Sequence, residues 1–189
     1  VMDNAESYDV LLLQELHLDA LDDEKALRKL DMAGFKAVQT PSRISGNSIR
    51  GGGTLAAVNA SLQSTTFRHL ASNASQCKGL HADSTTLGGG PVDFYDFVSV
   101  KVISQNVSIV LVSVYLTSGT GLAQSNLTKL AEIGTFLNGI ADPWILLGDW
   151  NIEPSELASS TWLSTIGGTI LRPSNVPYTC SAGKGRMLD

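Results

Sequence analysis

Three apolar stretches of this chain end on oxygen-bearing side chains. "DVLLLQE" runs from Asp9 into Gln14 and Glu15, and "VLVSVYL" reaches Tyr115 just before its last residue. "PWILLGDWNIEP", residues 143 to 154, passes from Trp144-Ile145-Leu146-Leu147 to Gly148-Asp149-Trp150-Asn151. A rigid strand that stops on a polar group can present it to a ligand admitted by the loop beyond. Taken singly, a glutamate at a strand end is most often a solvated terminus, and a tyrosine is most often core with its hydroxyl at the rim. Together, Glu15, Asp149 and Asn151 offer two carboxylates and a carboxamide. These are hard oxygen ligands, suited to Mg²⁺ or equally Mn²⁺ and unsuited to zinc. A phosphodiester bound there would meet a Lewis acid, the Tyr115 hydroxyl and an amide donor. Asp149 could also take the proton from an attacking water.

These groups need elements to hold them. Asp9 to Glu15 reads as a short buried strand. In "DDEKALRKLDMAGF", Asp22, Asp23 and Glu24 suit a helix N-terminus, Ala26, Leu27, Leu30 and Ala33 form an apolar face, and Gly34 suits the stop. "FKAVQT" and "TLAAVNA" read as strands. "DFYDFVSVKVIS" and "NVSIVLVSVYL" form an antiparallel hairpin turning at Gln105-Asn106. "SNLTKLAEIGTFLNGI" reads as a helix capped by Ser125. A buried strand is expected at 144–148, a weaker helix within 155–166 and a last strand at "TILRP". Without repeat or linker, this order is one α/β domain.

Residues 41 to 53, "PSRISGNSIRGGG", are polar, and no Gly-Lys-Ser/Thr follows their glycines to make a phosphate-binding loop. Two readings stay open: a flexible loop feeding a strand, or a substrate-facing loop whose Arg43 and Arg50 reach phosphate. His17, just beyond Glu15, could touch substrate; His69 and His81 read as surface residues.

The chain has 189 residues, 43 % hydrophobic and 16 % charged, with a formal net charge of −5. There is no global basic field to hold a polyanion, although local arginines and bound cations can still meet phosphate. No apolar run approaches the ~20 residues of a membrane span. Cys77 and Cys180 form no disulfide framework and match no zinc spacing. Four sequons (Asn59, Asn73, Asn106, Asn126) follow no signal peptide, so an intracellular location, nuclear or cytoplasmic, is expected.

In order, "LLLQELHL", "GGGTLAAV", "VLVSVYL", "ILLGDWNIEP" and "GRMLD" resemble the motifs of the endonuclease/exonuclease/phosphatase superfamily, over nearly the whole chain. The resemblance implies a four-layer α/β sandwich of two facing, mainly antiparallel sheets with helices outside. It implies that Glu15 binds Mg²⁺, that Tyr115 hydrogen-bonds the scissile phosphate and that Asp149 orients or deprotonates the attacking water. It further implies that Asn151 supports the phosphate and the metal site, and that Asp189 fixes the tautomer of a catalytic histidine.

Two parts of that pattern are missing: an N-terminal strand bearing Asn or Asp, and a Ser-Asp-His element after residue 189. A fragment is therefore expected, inactive or poorly soluble alone. For the full domain, the expected activity is metal-dependent phosphodiester hydrolysis, foremost as an endonuclease on DNA, with fusion to a reverse transcriptase as the corresponding partner. A phosphoinositide or other small phosphoester is the alternative substrate, and a non-catalytic scaffold the third reading.

Overall fold

The structure is a computed structural model that describes residues 7–40, 42–44, 50–67 and 97–172. Sheet one contains β1 (Val10–Leu13), β2 (Phe35–Thr40) and β5 (Thr54–Asn59), antiparallel in the order β1-β5-β2. The "LAAV" run is unbroken by polar residues because β5 is central and both of its faces are buried. Leu55 and Ala57 join Leu11 and Phe35 on the outer face, under Leu30 of helix α1 (Ala20–Met32). Asp19 starts that helix, its carboxylate accepting from Leu21 N at 3.0 Å and Asp22 N at 2.9 Å. A cap of this kind stabilises a helix by about 1 kcal/mol. Gly34, at φ +79°, follows the helix end as expected.

Sheet two contains β6 (Gln63–Phe67), β7 (Phe97–Ser104), β8 (Val107–Tyr115) and β9 (Trp144–Asp149), in that spatial order. The expected hairpin is β7–β8; Gln105 and Asn106 both have positive φ, which matches the right-handed twist of the strands they join. Strand β9 runs parallel to β8, so the chain must cross back between them, and helix α2 (Gln124–Asn138) lies in that crossover. Leu130, Ile133 and Leu137 of α2 pack on Val110, Val112, Val114 and Leu116. Two short helices, α3 (Pro154–Ser159) and α4 (Trp162–Ile166), extend this outer layer. Between the sheets, Val38, Ala56 and Val58 meet Val98, Val100 and Val102. Helix, sheet, sheet, helix: the four-layer α/β sandwich is the observed architecture. Among the described residues no helix is long and apolar enough to cross a membrane.

Several local expectations differ. Ser125 does not cap α2, which starts at Gln124 behind Ala123 without a side-chain cap. The nearby fully buried Asn126 does the local tying, accepting from Thr117 N and donating to Thr117 O and Gly121 O, and it is thereby withdrawn from the surface. The helix within 155–166 is two helices, because Ser160 turns extended and its hydroxyl donates to Leu157 O at 2.6 Å. Residues 169–172 of "TILRP" form no strand; Ile170 packs on the core while Leu171 lies in solvent. The polar 41–53 stretch contains a short ribbon, β3 (Arg43–Ile44) against β4 (Arg50–Gly51). Strand β6 escaped the sequence reading, since an edge strand of Gln, Ser and Thr carries little apolar signal. Strand β9 is less buried than its composition implied. Ile145 is 40 % and Leu147 46 % exposed, on an edge of sheet two that no described strand covers.

At the opposite end of sheet two from Tyr115, Asp142 joins three segments. It accepts from Ser108 Oγ on β8 and from Lys101 Nζ on β7, the latter at 2.9 Å, just before the chain enters β9. These hydrogen bonds, Ser108 first and then Lys101, hold its carboxyl below the ordinary value of 3.8. A depressed carboxylate stabilises the fold above its unfolded pKa, and that contribution fades as pH falls through the folded value. Asp142→Asn should therefore flatten the acid limb of a plot of urea midpoint against pH, below about pH 4, and leave the slope between about pH 6 and about pH 8 unchanged. An acid limb identical to wild type would refute the coupling. Gly148 offers a second test, because a Cβ there would lie 1.9 Å from Val114 O and 2.8 Å from Val114 C. Those are backbone atoms of the adjacent strand and cannot swing aside. Gly148→Ala should lower unfolding free energy by about 3 kcal/mol, and an unchanged urea midpoint would contradict this packing.

Candidate active site

The first site residue is set by the way β1 ends. Gln14 Nε2 crosses from sheet one to sheet two and donates to the buried Ser113 Oγ at 2.7 Å. Immediately after it, Glu15 Oε1 accepts from Tyr115 Oη at 2.8 Å. Ser113 and Tyr115 are two apart on β8 and share a face, whereas consecutive residues of an extended strand face opposite ways. Glu15 reaches the same side as Gln14 by turning left-handed, at φ 52°, and His17 does so too. Such conformations cost a non-glycine residue roughly 1 kcal/mol or more and persist only where neighbours over-determine them.

The neighbours here are glycines. Leu16 N donates to Gly53 O and His17 N to Gly52 O, both at 3.3 Å. Gly52 and Gly53 themselves have φ of 71° and 87°, and a Cβ on Gly53 would approach Ser42 Oγ to 2.7 Å. The glycine run thus backs the Glu15–His17 turn with its carbonyls. Of the two readings kept for this loop, the structure places Arg43 and Arg50 on the paired backbones of β3 and β4, while their side chains lie outside the described residues. His17 Nε2 stands 3.9 Å from Glu15 Oε1, with both side chains about half exposed, an ion pair whenever the imidazole is protonated.

The second half of the site comes from "GDWN". The parallel register sets Asp149 opposite Tyr115, and register partners share a face of the sheet. Leu116 N donates to Asp149 O at 3.0 Å, and Asn151 Nδ2 donates to Leu116 O at 2.9 Å. Asn151 is left-handed, at φ 50°, a conformation asparagine tolerates better than most residues. Trp150 packs edge-on against Trp162, ring centroids 6.2 Å apart, on the core beneath α2. The four residues divide the work between them. Gly148 allows close approach to β8, Asp149 faces the site, Trp150 anchors the turn and Asn151 ties it back to β8.

Glu15, His17, Tyr115, Asp149 and Asn151 are therefore brought to one end of the sandwich. Asp189 lies outside the described residues, as do Cys77, Cys180, His69 and His81. Sequence reasoning missed Ser113, although a serine two residues before Tyr115 in a valine-rich strand was a visible signal. It also missed the support from Gly52 and Gly53.

Among the described residues no three or more His, Cys, Asp or Glu side chains gather into a metal cluster. A hydrated Mg²⁺ needs only one or two protein carboxylates. The half-exposed Glu15 carboxylate, with Asp149 in register beside Tyr115, fits such an ion or Mn²⁺. His17 offers one nitrogen donor beside it, but the carboxylate-led set is not the Cys- and His-rich one of a structural zinc site.

Comparison with known proteins bears on the fold and the family. No curated protein matches the sequence, but solved structures do. An endonuclease/exonuclease/phosphatase family protein from Leptotrichia buccalis is 18 % identical with a TM-score of 0.52, covering 87 % of this chain and 65 % of that one. The human Nocturnin catalytic domain is 18 % identical, with a TM-score of 0.47, over 84 % of this chain and 57 % of that one. A humanized D. rerio TDP2 is 14 % identical, with a TM-score of 0.46, over 86 % and 54 % respectively. This chain thus spans less than two thirds of the length of these structures, and the first of these likenesses shows a shared fold. The profile of the Endonuclease/Exonuclease/phosphatase family matches residues 1–188, and the chain belongs to that family.

Proposed function

We propose that the protein hydrolyses phosphodiester bonds with a divalent cation, as an endonuclease acting on DNA. The observation that carries this reading is the Tyr115–Glu15 hydrogen bond of 2.8 Å, with Asp149 in register beside it. It supports the reading because a hydroxyl donor and a carboxylate meet across the two sheets, with a second carboxylate-bearing residue in register next to the hydroxyl's own. Glu15, together with Asp149, would hold Mg²⁺ or Mn²⁺, which when bound supplies positive charge to phosphoryl oxygens.

The chain's own groups do the rest. Tyr115 Oη carries one proton, which it donates to Glu15 in the absence of substrate and turns to a non-bridging oxygen of the scissile phosphate when substrate binds. Asp149 accepts the proton of the attacking water at its carboxylate. Asn151 keeps Asp149 and Tyr115 at a constant spacing through Leu116, and supports the phosphate with what remains of its carboxamide. Asp189 takes the family's histidine-orienting role on the strength of its "RMLD" context alone. Arg43, Arg50 and His17 are the proposed contacts to the substrate beyond the scissile group. The compact interval between Tyr115 and Asp149 fits the endonuclease domain of a retroelement, with a reverse transcriptase as its fused partner.

A second reading, a phosphoinositide or other small phosphoester, is favoured by one feature. The loop after Tyr115, residues 117–126, has no lysine or arginine to meet a nucleic-acid backbone. The reading of the chain as a non-catalytic scaffold is separated by the same assay.

The natural protein that carries this sequence should nick supercoiled plasmid with Mg²⁺ or Mn²⁺ and lose activity when EDTA is added. Asp149→Ala should reduce turnover about a thousandfold, and Tyr115→Phe about a hundredfold, both with the fold intact by circular dichroism. Release of phosphate from soluble inositol phosphates without nicking would move the assignment to the second reading. Hydrolysis of neither substrate with either cation would leave the scaffold. Independently, calorimetry should find Mn²⁺ binding that Glu15→Gln weakens about tenfold or more.

A further inference from the structure

We propose that Lys129 is a positioning residue for Tyr115, a buried cation that holds the phenol ring and strengthens its hydroxyl as a donor. The inference rests on the reading of Tyr115 as the group that donates to phosphate. Lysine is seldom fully buried without specific partners, yet Lys129 is only 5 % exposed. Its place follows from helix geometry. Leu130, Ile133 and Leu137 face the core beneath sheet two, and Lys129 lies one helical turn before Ile133, about 40° from it around the axis, at the N-terminal end of that buried stripe. That position directs Lys129 to the end of β8, where the site lies.

Contacts to the end of that strand are made there. Lys129 Nζ donates to Thr117 Oγ1 at 2.9 Å, and it stands 5.4 Å from the centre of the Tyr115 ring. One helical turn earlier on the same side of α2, Asn126 grips the backbone of Thr117 from both directions. Asn126 and Lys129 together fasten the chain immediately after Tyr115. The phenol is then held at both ends, its hydroxyl by Glu15 and its ring by the ammonium.

A cation over an aromatic ring is attracted to the negative face of its quadrupole, more strongly when both are removed from water. The same field draws electron density from the phenol oxygen toward the ring. The O–H bond becomes more polar and donates more strongly to an oxygen that gains charge in the transition state. A methionine of similar length would fill the space but would supply neither the field nor the bond to Thr117.

The test compares Lys129→Met, Lys129→Arg and Lys129→Gln in the natural protein, each alone and combined with Tyr115→Phe. Lys129→Met should lower kcat about tenfold, with KM changed by less than about twofold, and Lys129→Arg should recover most of the loss. In the Tyr115→Phe background, Lys129→Met should cost nothing further, because its effect travels through the hydroxyl. An equal loss in both backgrounds would overturn the proposal. If Lys129→Met fails to fold, the Arg and Gln variants carry the same comparison.

A second readout needs no activity. With [¹³Cζ]tyrosine, the Tyr115 resonance is assigned by its disappearance in Tyr115→Phe. It should move in Lys129→Met or Lys129→Gln and stay near its wild-type position in Lys129→Arg. A resonance that does not move would also overturn the proposal. If the wild-type protein hydrolyses nothing while the resonance moves as expected, the proposed function fails and the Lys129–Tyr115 coupling stands.

Discussion

Among the described residues, side-chain hydrogen bonds cross between the sheets at one end of the sandwich: Gln14 to Ser113 and Tyr115 to Glu15, with Ser113 Oγ also donating to Leu13 O at 3.5 Å. The rest of the site depends on them. The aliphatic contact between the sheets, valines and alanines from both sides, is non-directional and would tolerate a sliding offset. Buried polar groups do not tolerate it, because an unmade bond leaves the full desolvation cost of the group uncompensated. Ser113 is fully buried, so a shift of sheet one by a single residue would strand its hydroxyl. The polar pair therefore fixes the offset of the sheets, and with it the distance between a carboxylate on one and a phenol on the other.

The local backbone is shaped to serve that pair. Glu15, His17 and Asn151 are left-handed, and the remaining non-glycine residues with positive φ, among those described, are Gln105 and Asn106 of the hairpin turn. At the hairpin the conformation matches strand twist and needs no further account. At the site it redirects side chains that an extended strand would aim elsewhere, and its cost is offset by fixed partners: the carbonyls of Gly52 and Gly53 on one side, that of Leu116 on the other. Gly148 contributes by omission, since any side chain there would collide with the backbone of β8 and push Asp149 out of register with Tyr115.

Much of the architecture was legible because it is written in local patterns. Apolar runs of strand length, the Gln105-Asn106 turn and the acidic start of α1 each depend on residues within a few positions of one another. What misled was equally local. Ser125 looked like a cap, but the buried Asn126 beside it fastens the preceding loop instead. "WILLGD" read as buried on both faces because composition does not say whether a strand has a neighbour. "LQSTTF" carried no apolar alternation, and its pairing with β7 makes it a strand.

The sequence by itself determined which polar side chains stand at the ends of apolar runs: Glu15, Tyr115, Asp149 and Asn151, whose oxygen donors are of the hard kind. Side-chain chemistry is a property of each residue and needs no partner to be read. Only the tertiary structure decided that these groups meet. Glu15 and Tyr115 are 100 positions apart, as Gln14 and Ser113 are 99 apart. No periodicity spans such a separation, because it is closed by the packing of two sheets. The glycines of residues 52 and 53 show the same division. Their conformational freedom was visible in the sequence, but its use, holding the turn that aims Glu15, exists only once β1 and β5 lie side by side.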